Sequence, residues 1–423
     1  MAIEWPRRPL GELTDNFDGQ RMPVKQADRR RGPYPYYGAS GIVDHVDNYL
    51  FDGAYLLIAE DGENLRTRNT PVAFLARGKF WVNNHAHIVR GNGQADTRYL
   101  VYALQAADIS GYLTGSTMPK LTQGNMNRIF VPSPRIEEQR AIAHILGTLD
   151  DKIELNRRIN ETLEAIARAV FKSWFVDFDP VRAKGEGRNP GLPKYIADLF
   201  PDRFEDSELG PIPAEWRLAE LGEIALIIDC LHSKKPERRK KGLPLLQLWN
   251  IRDDGLVDMS DPFYIDESDY RTWISRMEAS PGDCVITNVG RVAAVAQIPS
   301  GLKAALGRNM TGIRCKHSVP FPTFLIQSLV SEAMRDEIVR KIDTGTILDA
   351  LNVRNIPALR VTLPRLDLLK KFEESMRPLR AKMESNLTRS RTLAALRDAL
   401  LPKLISGELR VNDAERFIGD ATK

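Results

Sequence analysis

The sequence predicts an α+β protein: two globular mixed α/β domains separated by a pair of long antiparallel helices, with an internal pseudo-two-fold repeat. Three observations predict it. First, the chain repeats itself. Glu4-Trp5 leads five residues after the Trp into Leu10-Gly11-Glu12-Leu13, and Glu215-Trp216 leads at the same spacing into Leu221-Gly222-Glu223-Ile224. A constant offset of 230 residues then maps Thr114-Gly115 onto Thr344-Gly345, Leu121 onto Leu351, Asn125 onto Asn355 and Val131 onto Val361. The same offset continues through Lys152, Asn156, Thr162 and Ala169 onto Lys382, Asn386, Thr392 and Ala399. Second, each copy ends in a long stretch of helical periodicity. Third, each copy begins with short apolar runs separated by turn signals, the pattern of a mixed globule.

In the globular parts, Tyr37-Gly38-Ala39-Ser40-Gly41, Asp52-Gly53, Glu60-Asp61-Gly62 and Gly91-Asn92-Gly93 read as turns. Ala54 to Ala59 and Val72 to Ala76 read as strands, as do Cys284 to Thr287 and Val292 to Ala296. In the first long helix, Ile142, Ile145, Leu149, Lys152, Asn156, Ile159, Leu163, Ile166 and Val170 recur in steps of three and four. That is a seam for helix-on-helix packing. The second copy runs through Leu379, Lys382, Asn386, Arg389, Leu393, Leu396 and Leu400. Gly147 and the neighbouring position of the second copy, Pro378, predict a break in each helix. The polar seam positions read either as register-fixing or as solvated, with the seam moved to Ile153 and Met383. The predicted order is a first globule (1–134), a central helix (135–178), a connector (179–213), a second globule (214–364), a C-terminal helix (365–406) and a weakly packed tail (407–423). The connector's short apolar patch, Tyr195 to Phe200, makes it ordered rather than a free linker.

Composition narrows the class. The 423 residues are 43% hydrophobic and 27% charged, the mix of a globular protein. No run approaches the ~18 apolar residues of a membrane helix, and MAIEWPRRPL has no secretory apolar region. Three scattered cysteines suit a reducing, cytoplasmic location. A net charge of +4 permits nucleic-acid binding without demanding it. The densest basic runs are Arg29-Arg30-Arg31 and Lys234 to Lys241, the second read as a loop that orders on DNA.

Catalytic signatures are missing from the sequence. There is no phosphate-binding GxxxxGK[ST] loop, no Gly-rich cofactor loop after a strand, no Asn/Asp-Pro-Pro-aromatic tetrapeptide and no G-x-S-x-G elbow. His85-x-His87 is the nearest approach to a metal pair, but no second pair has ligand spacing, so a surface or DNA-facing pair is the better reading.

Specific strings then carry a family resemblance. Pro132-Ser133-Pro134, Glu137-Glu138-Gln139-Arg140, Leu149-Asp150-Asp151-Lys152-Ile153-Glu154-Leu155-Asn156 and Phe171-Lys172-Ser173-Trp174-Phe175 resemble the central region of type I restriction–modification specificity subunits. Tyr36-Tyr37-Gly38-Ala39-Ser40-Gly41, Glu60-Asp61-Gly62 and Trp81-Val82-Asn83-Asn84-His85 resemble that family's target-recognition domains. Leu246-Gln247-Leu248-Trp249-Asn250 and Leu401-Pro402-Lys403-Leu404-Ile405-Ser406-Gly407 are similar to its second half. The resemblance implies a subunit with no catalytic site and no cofactor of its own. It implies two target-recognition domains, each reading one half-site of a split, asymmetric target in double-stranded DNA. The implied partners are two methylation subunits using S-adenosylmethionine on adenine, with restriction subunits adding ATP- and Mg-dependent translocation and cleavage.

Within that frame, a helix from Leu149 to Phe175 spans roughly 40 Å, close to one DNA turn of ~34–36 Å, so the helices can act as a ruler. Base reading needs Arg or Lys for guanine and Asn or Gln for adenine. The first-domain candidates are Tyr36, Ser40, Asn64, Arg66, Arg68, Asn84, His85, Lys120 and Gln123. Those of the second are Lys234, Lys235, Arg291, Arg308, Asn309, Thr346 and Asn352. Asp150, Glu154, Arg157, Arg158, Glu161 and Arg168 lie outside the predicted seam, as methylation-subunit contacts or a solubilising face. Two other classes compete: a stand-alone coiled-coil DNA-binding or regulatory protein, separated by whether it complexes a methylation subunit, and an unrecognised enzyme, separated by activity of the isolated chain.

Overall fold

The structure, a computed structural model, describes residues 5–208, 210–343 and 349–414. The chain forms two compact units. Unit 1 takes residues 1–154 and 392–423, and unit 2 takes 155–391. The units therefore divide both long helices rather than following the linear order of the predicted segments.

Unit 1 opens with β1 (Arg7–Pro9), the short α1 (Leu10–Leu13) and β2 (Thr14–Asn16). β3 (Arg31–Gly38), β4 (Gly41–Val46), β5 (Phe51–Ala59), β6 (Ala73–Val82) and β7 (Ala86–Gly91) follow. They form one six-stranded sheet with β2, in the order β2-β7-β5-β6-β3-β4. α2 (Thr97–Ala106) covers the sheet; its N-cap is Asp96, whose carboxylate accepts from the Tyr99 N–H. β8 (Phe130–Pro132) returns to pair with β1, Arg8 opposite Val131. Immediately beyond comes α3 (Ile136–Phe175).

Unit 2 repeats this plan. β9 (Arg217–Glu220), α4 (Leu221–Ile224) and β10 (Ala225–Asp229) match β1, α1 and β2. Further on come β11 (Leu243–Leu246), β12 (Tyr264–Ile265), β13 (Cys284–Thr287), β14 (Val295–Gln297), β15 (Ala305–Leu306) and β16 (Met310–Cys315). The main sheet runs β10-β16-β13-β14, while β12-β11-β15 form a second sheet. α5 (Pro322–Val330) packs on the main sheet, β17 (Arg360–Leu363) pairs with β9, and α6 (Leu366–Ser406) begins. The starts of α3 and α6 differ by the same 230 residues as the sequence repeat.

The repeated glycines have a local reason. A Cβ on Gly11 would lie 2.9 Å from Asn127 Cβ, and one on Gly222 3.1 Å from Pro357 Cβ. In both copies this close approach lets the short helix cap the returning segment: the Leu10 N–H donates to the Ile129 carbonyl, and the Leu221 N–H to the Leu359 carbonyl.

The long helices pair antiparallel within each unit. In unit 1, Ile142, Ile145, Leu146 and Leu149 pack with Leu400, Leu404 and Ile405. In unit 2, Ala167, Phe171, Trp174 and Phe175 pack with Phe372 and Met376. The seam departs from the predicted line at Ile166, which is 45% exposed while Ala167 is buried. Lys152, Lys382 and Arg389 are exposed, whereas Asn386 is buried and Asn156 half-buried. Asn386 Nδ2 donates to Asn160 Oδ1 (2.9 Å), and Asn156 Nδ2 donates to Ser390 Oγ (3.1 Å). Those two pairs exchange under the repeat offset, so the unit 2 crossing is locally two-fold.

Neither predicted break occurs. α3 runs through Gly147, where a Cβ would fall 2.1 Å from Arg98 Cζ. The glycine admits Arg98, which donates to the Gly147 carbonyl and to Asp151, each at 2.7 Å. α6 runs through Pro378, which is exposed with Glu374 one turn earlier, so the carbonyl left without a partner faces water. The connector holds its order through Val181, Ile196 and Phe200, all in the unit 2 core; Phe200 meets Trp174 edge-on at 5.3 Å. The tail also differs from expectation. Leu409, Val411 and Ala414 pack on the unit 1 core, and Arg410 stands over the Trp5 ring at 5.6 Å.

Candidate nucleic-acid interface

At one end of the unit 1 sheet, three chain segments meet just past β5, before β7 and near residue 120. The Glu60 N–H donates to the His85 carbonyl (2.9 Å), and the Leu121 N–H donates to the Glu60 carbonyl (2.8 Å). Asp61 and Lys120 form a bridge alongside. His85 and Lys120 are exposed and Asp61 is half-buried beside them. His85 Nδ1 lies 2.8 Å from Asp61 Oδ2, and Lys120 Nζ lies 3.3 Å from Glu60 Oε1.

Beneath this edge is a buried ionic network. His87 is 1% exposed. Its Nδ1 faces Asp18 Oδ2 at 2.5 Å and its Nε2 faces the Leu121 carbonyl at 2.7 Å. Two acceptors on two ring nitrogens suit only the imidazolium. Burial alone pulls the His87 pKa down, but the bonds to Asp18 and Leu121 and the charges of Asp18 and Glu60 outweigh it, and the pKa is raised. Burial pushes Asp18 up, but His87, the Ile88 N–H and Arg21 bring it below its ordinary value. Glu60 is likewise lowered, burial being outweighed by Arg21, His87 and Lys120.

Unit 2 builds the same backbone junction from other side chains. The Asn288 N–H donates to the Asn309 carbonyl (2.8 Å), and the Leu351 N–H to the Asn288 carbonyl (2.9 Å). Val289 and Ala350 form the bridge. Where unit 1 has His87, the matching position of β16 is Thr311, whose hydroxyl donates to Asn288 Oδ1 (3.0 Å). Beside the basic run, Lys235 Nζ stands over the rings of Trp249 (5.1 Å) and Phe263 (4.5 Å). Donor atoms of Asp229, Cys230 and His232 lie within 4.8 Å of one another. Asp229 Oδ2 is already engaged by His232 Nε2 (2.8 Å) and Arg276 (3.3 Å).

The structure sorts the predicted contact residues. Gln123 is exposed at the start of the short helix Gln123–Asn127, and Ser40, Asn84, His85 and Lys120 are exposed on the loops at the unit 1 junction end. Arg66 is exposed there too, donating to the Gly115 and Ser116 carbonyls. Tyr36 leaves the set: it is 1% exposed, and its hydroxyl bonds the Val24 backbone, because it falls on the inward side of β3. Asn64 and Arg68 close loops. Asn64 bonds both backbone groups of Thr70, and Arg68 caps α2 through the Leu104 and Ala107 carbonyls. In unit 2, Arg308 is exposed and Asn309 half-exposed beside the junction. Asn352, also beside it, is exposed and caps a short turn by accepting from the Arg354 N–H. Lys234 and Lys235 are exposed on the basic run. Arg291 is engaged inward with the Ile251 carbonyl and Asp253. Thr346, like the repeat match Thr344-Gly345 and Glu4, lies outside the described residues.

The His85-x-His87 pair does not share a face: His85 is in the turn before β7 and exposed, His87 is inside the sheet. Sequence reasoning missed Asp18, Arg21 and Glu60, which join His87 from two other segments, residues 18–21 and the residue just past β5. Only Glu60-Asp61-Gly62 carried a signal, as a turn. Of the helix residues read as outside, Asp150 is instead an interior partner, bonded by Arg397 (2.7 Å) and the Tyr102 hydroxyl. Arg157, Arg158, Glu161 and Arg168 are exposed, and Glu154 is half-buried.

Among the described residues, no helix is long and apolar enough to cross a membrane. The family model "Type I restriction modification DNA specificity domain" matches residues 2–165. The MjaIX specificity subunit of Methanocaldococcus jannaschii, a type I restriction enzyme component, is 27% identical, covering 97% of this chain and 94% of that protein. The HindI specificity subunit of Haemophilus influenzae is 26% identical, covering 69% and 72%. The crystal structure of a type I restriction–modification S subunit from M. genitalium shares the fold at TM-score 0.59 and 15% identity, over 95% of this chain and 96% of that one. Residues 2–165 thus carry the match to the DNA specificity domain, and along nearly its whole length the chain is similar to specificity subunits of type I restriction–modification systems.

Proposed function

We propose that this chain is the sequence-reading, non-catalytic subunit of a type I restriction–modification complex, binding double-stranded DNA with one half-site per globule. The observation that carries the reading is the repeated junction: one backbone frame, two different sets of side chains, as two unlike half-sites demand. In this reading the chain scaffolds two adenine-methylation subunits, with restriction subunits joining them, in the cytoplasm. It holds no cofactor; S-adenosylmethionine, ATP and Mg serve the partner subunits. The exposed helix residues Arg157, Arg158, Glu161 and Arg168 are the partner-facing candidates. The long helices set the spacer between half-sites, so a one-heptad deletion from both helices, in register, shortens the unspecified spacer of the target.

The test is methylation-aware sequencing of host DNA with and without the gene. Loss of adenine methylation at one bipartite motif is the expected result. An unchanged methylome with the methylation subunit expressed would overturn the reading. An unchanged spacer in the heptad-deletion variant would overturn the ruler alone.

A further inference from the structure

We propose that the three-segment junction determines specificity: Asp61, His85 and Lys120 select bases for unit 1, and Val289, Arg308 and Asn309 do so for unit 2. The inference rests on the reading above and locates it on particular side chains.

Four observations converge. Two backbone hydrogen bonds and the bridge beside them recur in both units, so the bridged and bonded positions present their side chains from equivalent places. The side chains themselves differ in kind. Position for position, the acid, imidazole and ammonium of Asp61, His85 and Lys120 are replaced by the aliphatic group, amide and methyl of Val289, Asn309 and Ala350, and the cation of unit 2 comes instead from Arg308, next to Asn309. They are also accessible: the His85 side chain is 54% exposed and that of Lys120 52%. Finally, the unit 1 edge sits on the His87–Asp18–Glu60–Arg21 network. Burying charge is costly unless every partner is in place. Here the partners come from three separate segments, so the network immobilises the edge above it.

The donors match base edges. Asp61 holds His85 through Nδ1, leaving Nε2 as the ring's outer polar atom. Lys120 has three N–H donors, and among the described residues its ion pair is with Glu60. Lysine suits the O6 and N7 acceptors of guanine, and a carboxylate such as Asp61 suits the amino group of cytosine. The unit 1 junction therefore reads a G·C pair. In unit 2, Asn309 is held in the left-handed region (φ 63°) and is half-exposed. An amide suits the N6/N7 pair of adenine, Arg308 suits guanine, and Val289 suits the thymine methyl.

The experiment uses the full chain assembled with its methylation subunits, and the probe is duplex DNA carrying the motif methylated by the unaltered complex. Lys120→Ala and His85→Ala are compared with Arg308→Ala and Asn309→Gly; glycine keeps the left-handed backbone at 309. Each pair is expected to relax base choice in one half-site only. Discrimination there falls about tenfold or more, while the other half-site and the thermal unfolding of the chain stay unchanged. Variants that leave both half-sites unaltered, or weaken both equally, would overturn the assignment. If the unaltered complex methylates no bipartite motif, the functional reading falls, and the assignment with it.

Discussion

In unit 1, β3 and β4 extend the sheet to six strands, β3 lying parallel to β6 with Tyr36 opposite Trp81. In unit 2, the segment between β10 and β13 leaves the main sheet. There β11 pairs in parallel with β15 and antiparallel with β12, over a small core of Leu245, Phe263, Ile265, Tyr270 and Trp273. The sequence explains the divergence. Unit 1 carries the alternating aromatic run Tyr34-Pro35-Tyr36-Tyr37, which suits a strand packed on both Phe74 and Phe80. The matching stretch of unit 2 carries Lys234 to Lys241, too charged to add to a sheet. What both units keep is the frame that closes each globule: the short capping helix, the pairing of first and last strands, and the junction. What varies is the material inserted between them.

This comparison can be broken from either side. The largest expected effect is in the unit 2 helix seam. Phe372 is fully buried, with its ring 5.0 Å from Phe175 and 5.8 Å from Trp174. Phe372→Ala should cost about 3–5 kcal/mol. Amide hydrogen exchange should show the lost protection within residues 155–391; equal loss in unit 1 would mean the units are not separate in stability.

The buried network gives unit 1 a pH dependence with no counterpart at Thr311, the matching position of unit 2. The pKa of His87 is raised in the folded state. Its contribution is therefore fully present below the unfolded value near 6.5 and is lost as pH rises through the folded one. Asp18 and Glu60 are lowered, so theirs is present above the unfolded values and lost as pH falls through the folded ones. Urea unfolding should show stability declining on the alkaline side of pH 6.5. His87→Gln should remove that decline and cost about 1–3 kcal/mol at pH 6 by leaving Asp18 short of its partner. Persistence of the same decline in the variant would assign it elsewhere.

Position 147 and its counterpart Arg377 offer a milder contrast. Gly147→Ala pushes Arg98 off the helix and loosens its hold on Asp151, costing about 1–2 kcal/mol. Arg377, exposed in the other copy, should tolerate alanine within about 0.5 kcal/mol. Thermal melts of the two variants check the difference. The smallest effect is expected at the amide crossing. Asn386 Oδ1 is buried without a partner. Replacing Asn386 and Asn160 together by leucine should therefore change stability by no more than about 1 kcal/mol, and toward greater stability. A loss above 2 kcal/mol would show that the amides hold the crossing rather than merely fix its register.

Much of the fold was legible because it is local or repeated. The long helices were expected at 135–178 and 365–406, and they run Ile136–Phe175 and Leu366–Ser406. Spacing in threes and fours survives in any context, and two copies corroborate each other. The misread positions depend on residues distant in sequence. Gly147 reads as a breaker until Arg98 is brought against it. Tyr36 reads as a surface aromatic until strand alternation turns it inward. Arg68 and Arg291 read as free cations, yet their guanidiniums satisfy carbonyls of loops about forty residues away. His87 could be found as a histidine but not as a buried one, since Asp18 and Glu60 carry no spacing that ties them to it.

The division of the long helices between units also orders events during synthesis. Unit 2 is one uninterrupted stretch, complete once Arg391 has been made. Unit 1 needs both its early residues and those after 392, because Ile142, Ile145, Leu146 and Leu149 are covered by Leu400, Leu404 and Ile405. The globule translated first is therefore finished last. From the emergence of Leu149 until that of Ile405, an apolar stripe stands uncovered, a window of about 250 residues, or roughly 13–50 s at bacterial-like rates of ~5–20 residues per second. Over that interval the nascent chain is most exposed to aggregation, and a chaperone that shields the stripe would raise the yield of folded protein without touching the finished molecule.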